Sequence, residues 1–299
     1  MAHWLATPHL LPTFPTHQLL LRLLPPSDEV AYQAEVSWTE TVGGSTQRTR
    51  LNQPFVLHGV PHGPHWHLTL CAQPPRLREA GSSSFDEVTL ILAELYASLV
   101  LEVAPTGELL GLANLPEIRQ TWQTIKATVA RKYEAASEML DILVRNTDYH
   151  LARPDGLLES LRYNYLHAAL LGTWYQQPFE AGRLYTQPKA FPEFFAGHDL
   201  CFTQALRLAP TPSPEYAVLE LTGTSDRQLT PLDAIAEHIR ATLGRPLDSV
   251  KPDDLQLTYT ATHRLRHSTG LPAAVELTVR CAYFDLYYKE YYLTIEQTS

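Results

Sequence analysis

Apolar and polar side chains alternate over residues 30 to 38, which is the first clear pattern in the chain. The apolar positions are Val30, Tyr32, Ala34, Val36 and Trp38. A period of two, carried by β-branched and aromatic residues, predicts an antiparallel strand with one buried face. The same alternation recurs at 255–262, 275–280 and 291–296, and we predict strands there as well.

The region between these ends predicts a meander of further strands. Residues 46–57 continue the β pattern, the Gly- and Pro-rich stretch 58–64 predicts a loop, and 65–72 predicts another strand. Residues 99–112 predict a hairpin around Pro105-Thr106-Gly107.

Helical periodicity dominates the middle of the chain. Apolar residues in steps of three and four predict one long amphipathic helix over 115–146 and a second over 155–171, joined as a helical hairpin. The capping-box pattern at 84–87 predicts a helix reaching Leu99, with a strand over 88–96 as the alternative.

The remaining segments complete an α+β pattern. Pro and Gly confine 173–197 to short pieces, whereas 198–209 and 216–222 predict strands. A helix is expected from about Thr230 to Gly244.

Grouped strands and helices predict an α+β fold in which curved antiparallel sheets pack on the long amphipathic helix and the helical hairpin. A chain of 299 residues has room for two domains. We place the β-meander and helical hairpin in 1–172 and a C-terminal sheet with one helix in 173–299. The alternatives are that both parts pack as a single domain, or that they are two related halves.

Two segments resemble a pattern found in uncharacterised bacterial β-rich proteins. They are LEVAPTGELLGLAN at 101–114 and THRLRHSTGLPAAVELTV at 262–279. The resemblance covers about a third of the chain and implies a curved antiparallel sheet wrapped on a helix. It implies no catalytic residues. Those proteins are commonly exported, and the N-terminal sequence here departs from an export signal.

Composition narrows the range of partners. The formal net charge is −9, with 23 Lys and Arg against 32 Asp and Glu, so a nucleic-acid partner is not expected. No apolar run approaches the length of a membrane span. Three widely spaced cysteines fit a reducing compartment, and Pro8, Pro12 and Pro15 interrupt any signal-peptide core. We expect a cytoplasmic protein.

The histidines around HGVPHGPHWHLTL, residues 58–70, are the candidate metal ligands. On a strand, His65 and His67 share a face and could form half of a zinc site. A third ligand would have to come from another strand, or from His58 or His62. The alternative interpretation places these imidazoles on the wet face of the sheet. His263 and His267 are likewise interpreted as exposed residues of a strand.

Aromatic residues are concentrated near the C-terminus and at 191–195. Their type favours a ligand or partner surface, or self-association. The alternative is cross-strand pairing within the sheet. The surface candidates are Tyr283, Tyr287, Tyr288, Tyr291 and Phe194.

No nucleophile elbow, phosphate loop or zinc-protease motif occurs in the sequence. We therefore expect a non-catalytic protein that binds partners through aromatic sheet surfaces, or a small apolar ligand in a cavity between sheet and helix, without a cofactor. One alternative is a metal-dependent hydrolase that uses zinc at His65 and His67. Another is a structural subunit of a larger assembly.

Overall fold

Antiparallel strands make up most of the regular structure. A computed structural model of the protein describes residues 18–77, 90–91, 93–132, 138–153, 155–162, 164–180, 182–195, 197–209, 213–244 and 250–298. The strands in this part of the chain are β1 Gln18–Leu20, β2 Val30–Val42, β3 Ser45–His62, β4 His65–Ala72, β5 Arg76–Leu77, β6 Ser98–Val103, β7 Leu109–Leu112, β8 Pro178–Glu180, β9 Leu184–Phe195, β10 His198–Leu208, β11 Tyr216–Ser225, β12 Gln256–Arg266, β13 Pro272–Tyr283 and β14 Tyr287–Gln297.

One antiparallel sheet of twelve strands contains nearly all of them. Its order is β7-β6-β4-β3-β2-β14-β13-β12-β11-β10-β9, and β5 pairs with β3 beside this path. β1 and β8 form a separate pair. Because β2 and β14 are neighbours, the sheet continues from the N-terminal part of the chain into the C-terminal part. The domain boundary at residue 172 and the relation between two halves stay predictions.

Ring contacts require the large sheet to be strongly curved. Trp38 on β2 and Phe194 on β9 lie 6.0 Å apart between ring centroids. Six strand steps separate β2 from β9, which would span about 28 Å in a flat sheet. Tyr165 lies 6.2 Å from Trp38 and 5.4 Å from Phe191 of β9, again between centroids. The sheet therefore curls around Tyr165.

Helices accompany the sheet, and the one that begins at Tyr165 lies on the concave face of this curl. Their bounds are α1 Leu115–Lys132, α2 Glu138–Ala152, α3 Gly156–Arg162, α4 Tyr165–Leu170 and α5 Leu232–Leu243, with a short 3-10 turn at Pro252–Asp254. The predicted stop at Gly244 is confirmed, since its φ of 62° ends α5 in the left-handed conformation.

The single long helix predicted over 115–146 is not confirmed. The indole Nε1 of Trp122 on α1 donates to Asp148 Oδ1 on α2 at 2.8 Å, and Arg119 Nε donates to the carbonyl of Leu151 at 2.9 Å. One continuous helix would hold Trp122 and Asp148 about 39 Å apart. α1 and α2 therefore lie antiparallel. Apolar residues recur in steps of three and four through both helices. This period therefore gave no sign that the chain reverses direction between them.

The helix predicted over 155–171 is two short helices. Asn164 lies between α3 and α4, and its Oδ1 accepts hydrogen bonds from the backbone N–H groups of Leu166 and His167. An Asn in this position begins a new helix rather than continuing the old one. The capping-box prediction at 84–87 lies outside the described residues. Helical structure occurs at 90–91 and 93–95, and Leu99 belongs to β6.

Two stretches predicted as irregular are strands. β3 continues through the predicted loop to His62, because Gly63, with φ of 60°, and Pro64 form a two-residue hairpin turn. β9, Leu184–Phe195, occupies about half of the segment 173–197 that is predicted as irregular. It lies at the edge of the sheet, where Pro188 and Pro192 are tolerated because an outward-facing N–H is not needed.

Candidate ligand-binding site

A cavity of about 630 Å³ lies between the concave face of the sheet and the helical cover. The sheet wall comes from β9 to β13, and the cover comes from α3, α4 and the segment 171–174. Its apolar lining is Leu109, Leu161, Leu171, Leu221 and Leu277. This volume is in the range of small-molecule sites.

Polar side chains interrupt the apolar face of the sheet inside this cavity. On β12, His263 continues the inward register of Tyr259, Ala261 and Leu265 and is 2 % exposed. On β10, Gln204 occupies the same kind of position and is 2 % exposed. Burying a polar side chain on a core face costs free energy unless it finds a partner, so these positions mark the site.

Tyr259 and Gln204 satisfy one another. The Tyr259 hydroxyl donates to Gln204 Oε1 at 2.9 Å, and burial raises the pKa of Tyr259 above its usual range. Gly223 lies between them on β11. A Cβ there would come within 2.7 Å of the Tyr259 ring, so the glycine leaves room for this pair.

The cover places a tryptophan against the sheet wall. Trp174 packs on His263 with ring centroids 4.5 Å apart. Gly172 permits this position, since a Cβ on it would lie 2.1 Å from the indole ring. The neighbouring Tyr175 anchors the segment by donating to the carbonyl of Gly270 at 3.0 Å. The Trp174 Nε1–H lies near the Tyr175 hydroxyl but forms no hydrogen bond with it.

Two buried imidazoles of the cavity each have one ring nitrogen that is unsatisfied within the described residues. The Nδ1 atoms of His167 and His263 have no hydrogen-bond partner among the described residues. Burial lowers the pKa of His167 to about 4. Burial, helped by the charge of Lys189, lowers the pKa of His263 to about 3. Both rings are therefore neutral at pH 7, and each can offer one donor and one acceptor.

Lys189 is the lysine of the cavity wall. It lies on the inner face of β9, two residues from Phe191, and its Nζ is 5.5 Å from the centroid of that ring. Burial lowers its pKa. Within the part of the chain that the structure describes, no carboxylate forms an ion pair with it. Arg162 and Glu108 line the rim with exposed side chains.

The predicted zinc ligands lie elsewhere, on β3 and β4. His65 and His67 share a face with His62, whose ring stacks on His67 at 4.0 Å between centroids. Glu102 Oε1 is 3.6 Å from His67 Nε2. Among the described residues, no three His, Cys, Asp or Glu side chains form a group that could hold a metal ion. The zinc site at His65 and His67 therefore stays a prediction.

Most residues of the predicted aromatic surface lie in the core. Tyr283, Tyr287, Tyr291 and Phe194 are buried in the core, and Tyr288 is half-buried. Tyr287 and Tyr291 point inward because β14 follows a period of two, and Tyr291 packs on Tyr165 of α4 at 4.6 Å between centroids. Only the cross-strand interpretation matches this arrangement, as in the contact of Tyr291 with Trp38 at 4.5 Å between centroids.

His263 requires a further correction. The prediction that His263 and His267 are both exposed is wrong for His263, which is buried, whereas His267 is exposed. The alternation of Tyr259 and Ala261 already placed His263 on the apolar face. The sequence reasoning missed Lys189 and Gln204 as well. Lys189 was hidden in a segment read as irregular, and Gln204 lies in the apolar register of Phe202 and Leu206.

Comparisons with known proteins add little. No protein-family model and no curated protein matches the chain. One similar solved structure is that of a DUF1329 family protein from Desulfovibrio piger, at 9% sequence identity and a TM-score of 0.16. That alignment covers 91% of this chain and 85% of that one. A likeness of this size does not establish a shared fold.

No helix of the described residues combines the length and the apolar character that crossing a membrane requires.

Proposed function

We propose that the protein binds a small, largely apolar molecule in the cavity between the concave sheet and its helical cover. The observation that carries this proposal is the cavity itself, whose wall sets the buried polar side chains of His167, His263 and Gln204 among leucines. Polar groups on an otherwise apolar wall are the usual way in which such a site orients its ligand.

The shape of the site supports the same proposal. Leucines form much of its lining, so an apolar ligand would gain affinity from burial. The few polar groups would then fix its orientation, as is usual in small-molecule sites.

Nile red, a neutral apolar fluorophore, provides the test. Its fluorescence is titrated with the wild-type protein and with Ala168→Phe, a change that fills the cavity from α4, where Ala168 lines it. The matched control is Ala241→Phe, on the exposed face of α5. We expect Ala168→Phe to weaken binding at least about tenfold, the effect of losing about 1.4 kcal/mol, and the control to bind like wild type. Equal binding by all three proteins would contradict the proposal.

A further inference from the structure

Among the described residues, the lysine of the cavity has no carboxylate partner, and this feature identifies the class of ligand more closely. Lys189 is held on the inner face of β9, against Phe191. No carboxylate pairs with it in the described part of the chain. A half-buried ammonium without a counter-ion is costly, because the surrounding protein replaces its water poorly.

His263 lines the same cavity as Lys189, from the inner face of β12. A neutral imidazole can donate one hydrogen bond. A cation and a hydrogen-bond donor on the wall of one cavity are complementary to a carboxylate, which accepts from both.

The rest of the lining excludes a ligand that is charged throughout. Leu161, Leu221 and Leu277 lie on the same cavity wall and offer no hydrogen bonds. The net charge of the chain, −9, disfavours anions over most of the surface. An anionic group would therefore be stabilised at Lys189 in particular, while its apolar remainder contacts the leucines.

We infer that the ligand is an amphiphile with an apolar body and a single carboxylate, which Lys189 binds by an ion pair and His263 by a hydrogen bond. This inference rests on the proposed function of the cavity. It adds to it the chemistry of the head group and the residues that recognise it.

Two probes of equal chain length separate the head group from the apolar body. Dodecanoate and dodecanol each compete with bound Nile red at neutral pH. We expect dodecanoate to displace the dye from wild type at a concentration at least about tenfold lower than dodecanol, because only the carboxylate can pair with the ammonium. In Lys189→Met this preference should disappear while dodecanol still competes.

Lys251→Met is the matched control, since Lys251 is exposed and away from the cavity. It should keep the full preference for dodecanoate. Equal competition by both probes in wild type, or a preference that survives Lys189→Met, would overturn the carboxylate inference and leave the cavity proposal intact. Failure of both probes to compete would also overturn it. Nile red binding that is unchanged by Ala168→Phe would instead contradict the proposed function.

Discussion

The rings of Trp174 and His263 lie 4.5 Å apart between centroids, which joins the helical cover to the sheet wall inside the cavity. His263 reaches this contact from a strand whose other inward residues are apolar or aromatic. It is buried, and its Nδ1 is unsatisfied within the described residues. An unsatisfied buried polar atom lowers the stability of the folded protein, and this effect can be measured.

Replacing His263 by methionine should stabilise the empty protein. Methionine fills a similar volume without a polar atom, so the change removes an unsatisfied buried group that costs about 1–3 kcal/mol. The free energy of unfolding, measured with urea, should rise by about that amount, and affinity for dodecanoate should fall. His267→Met, at an exposed site, should change stability by less than about 0.5 kcal/mol. A destabilised His263→Met protein would contradict this account of His263.

Stability should fall as the pH drops below the ordinary histidine pKa. In the folded protein His263 has a pKa of about 3 and His167 of about 4, whereas both have about 6.5 when unfolded. The unfolded state therefore binds more protons between these values. Each histidine then removes roughly 1 kcal/mol per pH unit as the pH falls from about 6.5 towards 4.

Urea unfolding of the wild type and of His167→Met/His263→Met, measured across that pH range, tests this dependence. The double variant should show a shallower fall in the free energy of unfolding. Identical slopes for the two proteins would show that these imidazoles are not buried in the neutral form.

Gly172→Ala should disturb the cavity wall through Trp174. The added Cβ would lie 2.1 Å from the indole ring, so the ring must move, and overpacking of this kind costs about 1–3 kcal/mol. We expect a red shift of tryptophan emission and weaker Nile red binding. Gly182→Ala is the control. Its added Cβ would meet open space, so the cost of this change is the backbone strain at a φ of 78° and not a clash. An unchanged emission spectrum for Gly172→Ala would contradict the packing described.

Asp148 tests the antiparallel pairing of α1 and α2. It accepts hydrogen bonds from Trp122 and Lys126, and the Lys126 bond lowers the pKa of its carboxyl. Asp148→Asn keeps an acceptor for Trp122 and should cost less than about 1 kcal/mol. Asp148→Ala removes both bonds and should cost about 1–2 kcal/mol in thermal or urea unfolding. Equal stability of the two variants would count against the pairing.

A double-mutant cycle tests the curvature of the sheet. Trp38 and Phe194 touch only because β2 and β9 approach across the curl. Replacing each with leucine, singly and together, should give a coupling energy of about 0.5–1.5 kcal/mol. Additive effects within about 0.3 kcal/mol would indicate that the two rings do not meet.

Periodicity predicted the strands well because a half-buried strand needs alternation. Val30, Tyr32 and Ala34 begin β2, and Tyr291, Leu293 and Ile295 end β14 much as expected. The reversal of chain direction between α1 and α2 was not predicted, because the spacing of apolar residues is the same in both helices. β9 was not predicted, because prolines usually indicate the end of a strand, although a strand at the edge of a sheet accepts them.

Only part of the site could be predicted from the sequence. A polar residue in the apolar register of a strand is a visible feature, and Gln204 and His263 both show it. That they face one cavity with Lys189 depends on strands that are distant in sequence and on the curl of the sheet. No local pattern encodes that approach. The aromatic cluster near the C-terminus attracted attention instead, and most of it is core.

A crystal structure of the protein with bound dodecanoate would show where the ligand lies. We expect the carboxylate within hydrogen-bond distance of Lys189 Nζ and of a His263 ring nitrogen, with the alkyl chain along Leu221 and Leu277. Density for the ligand outside this cavity, or a cavity that holds only water at saturating dodecanoate, would contradict it.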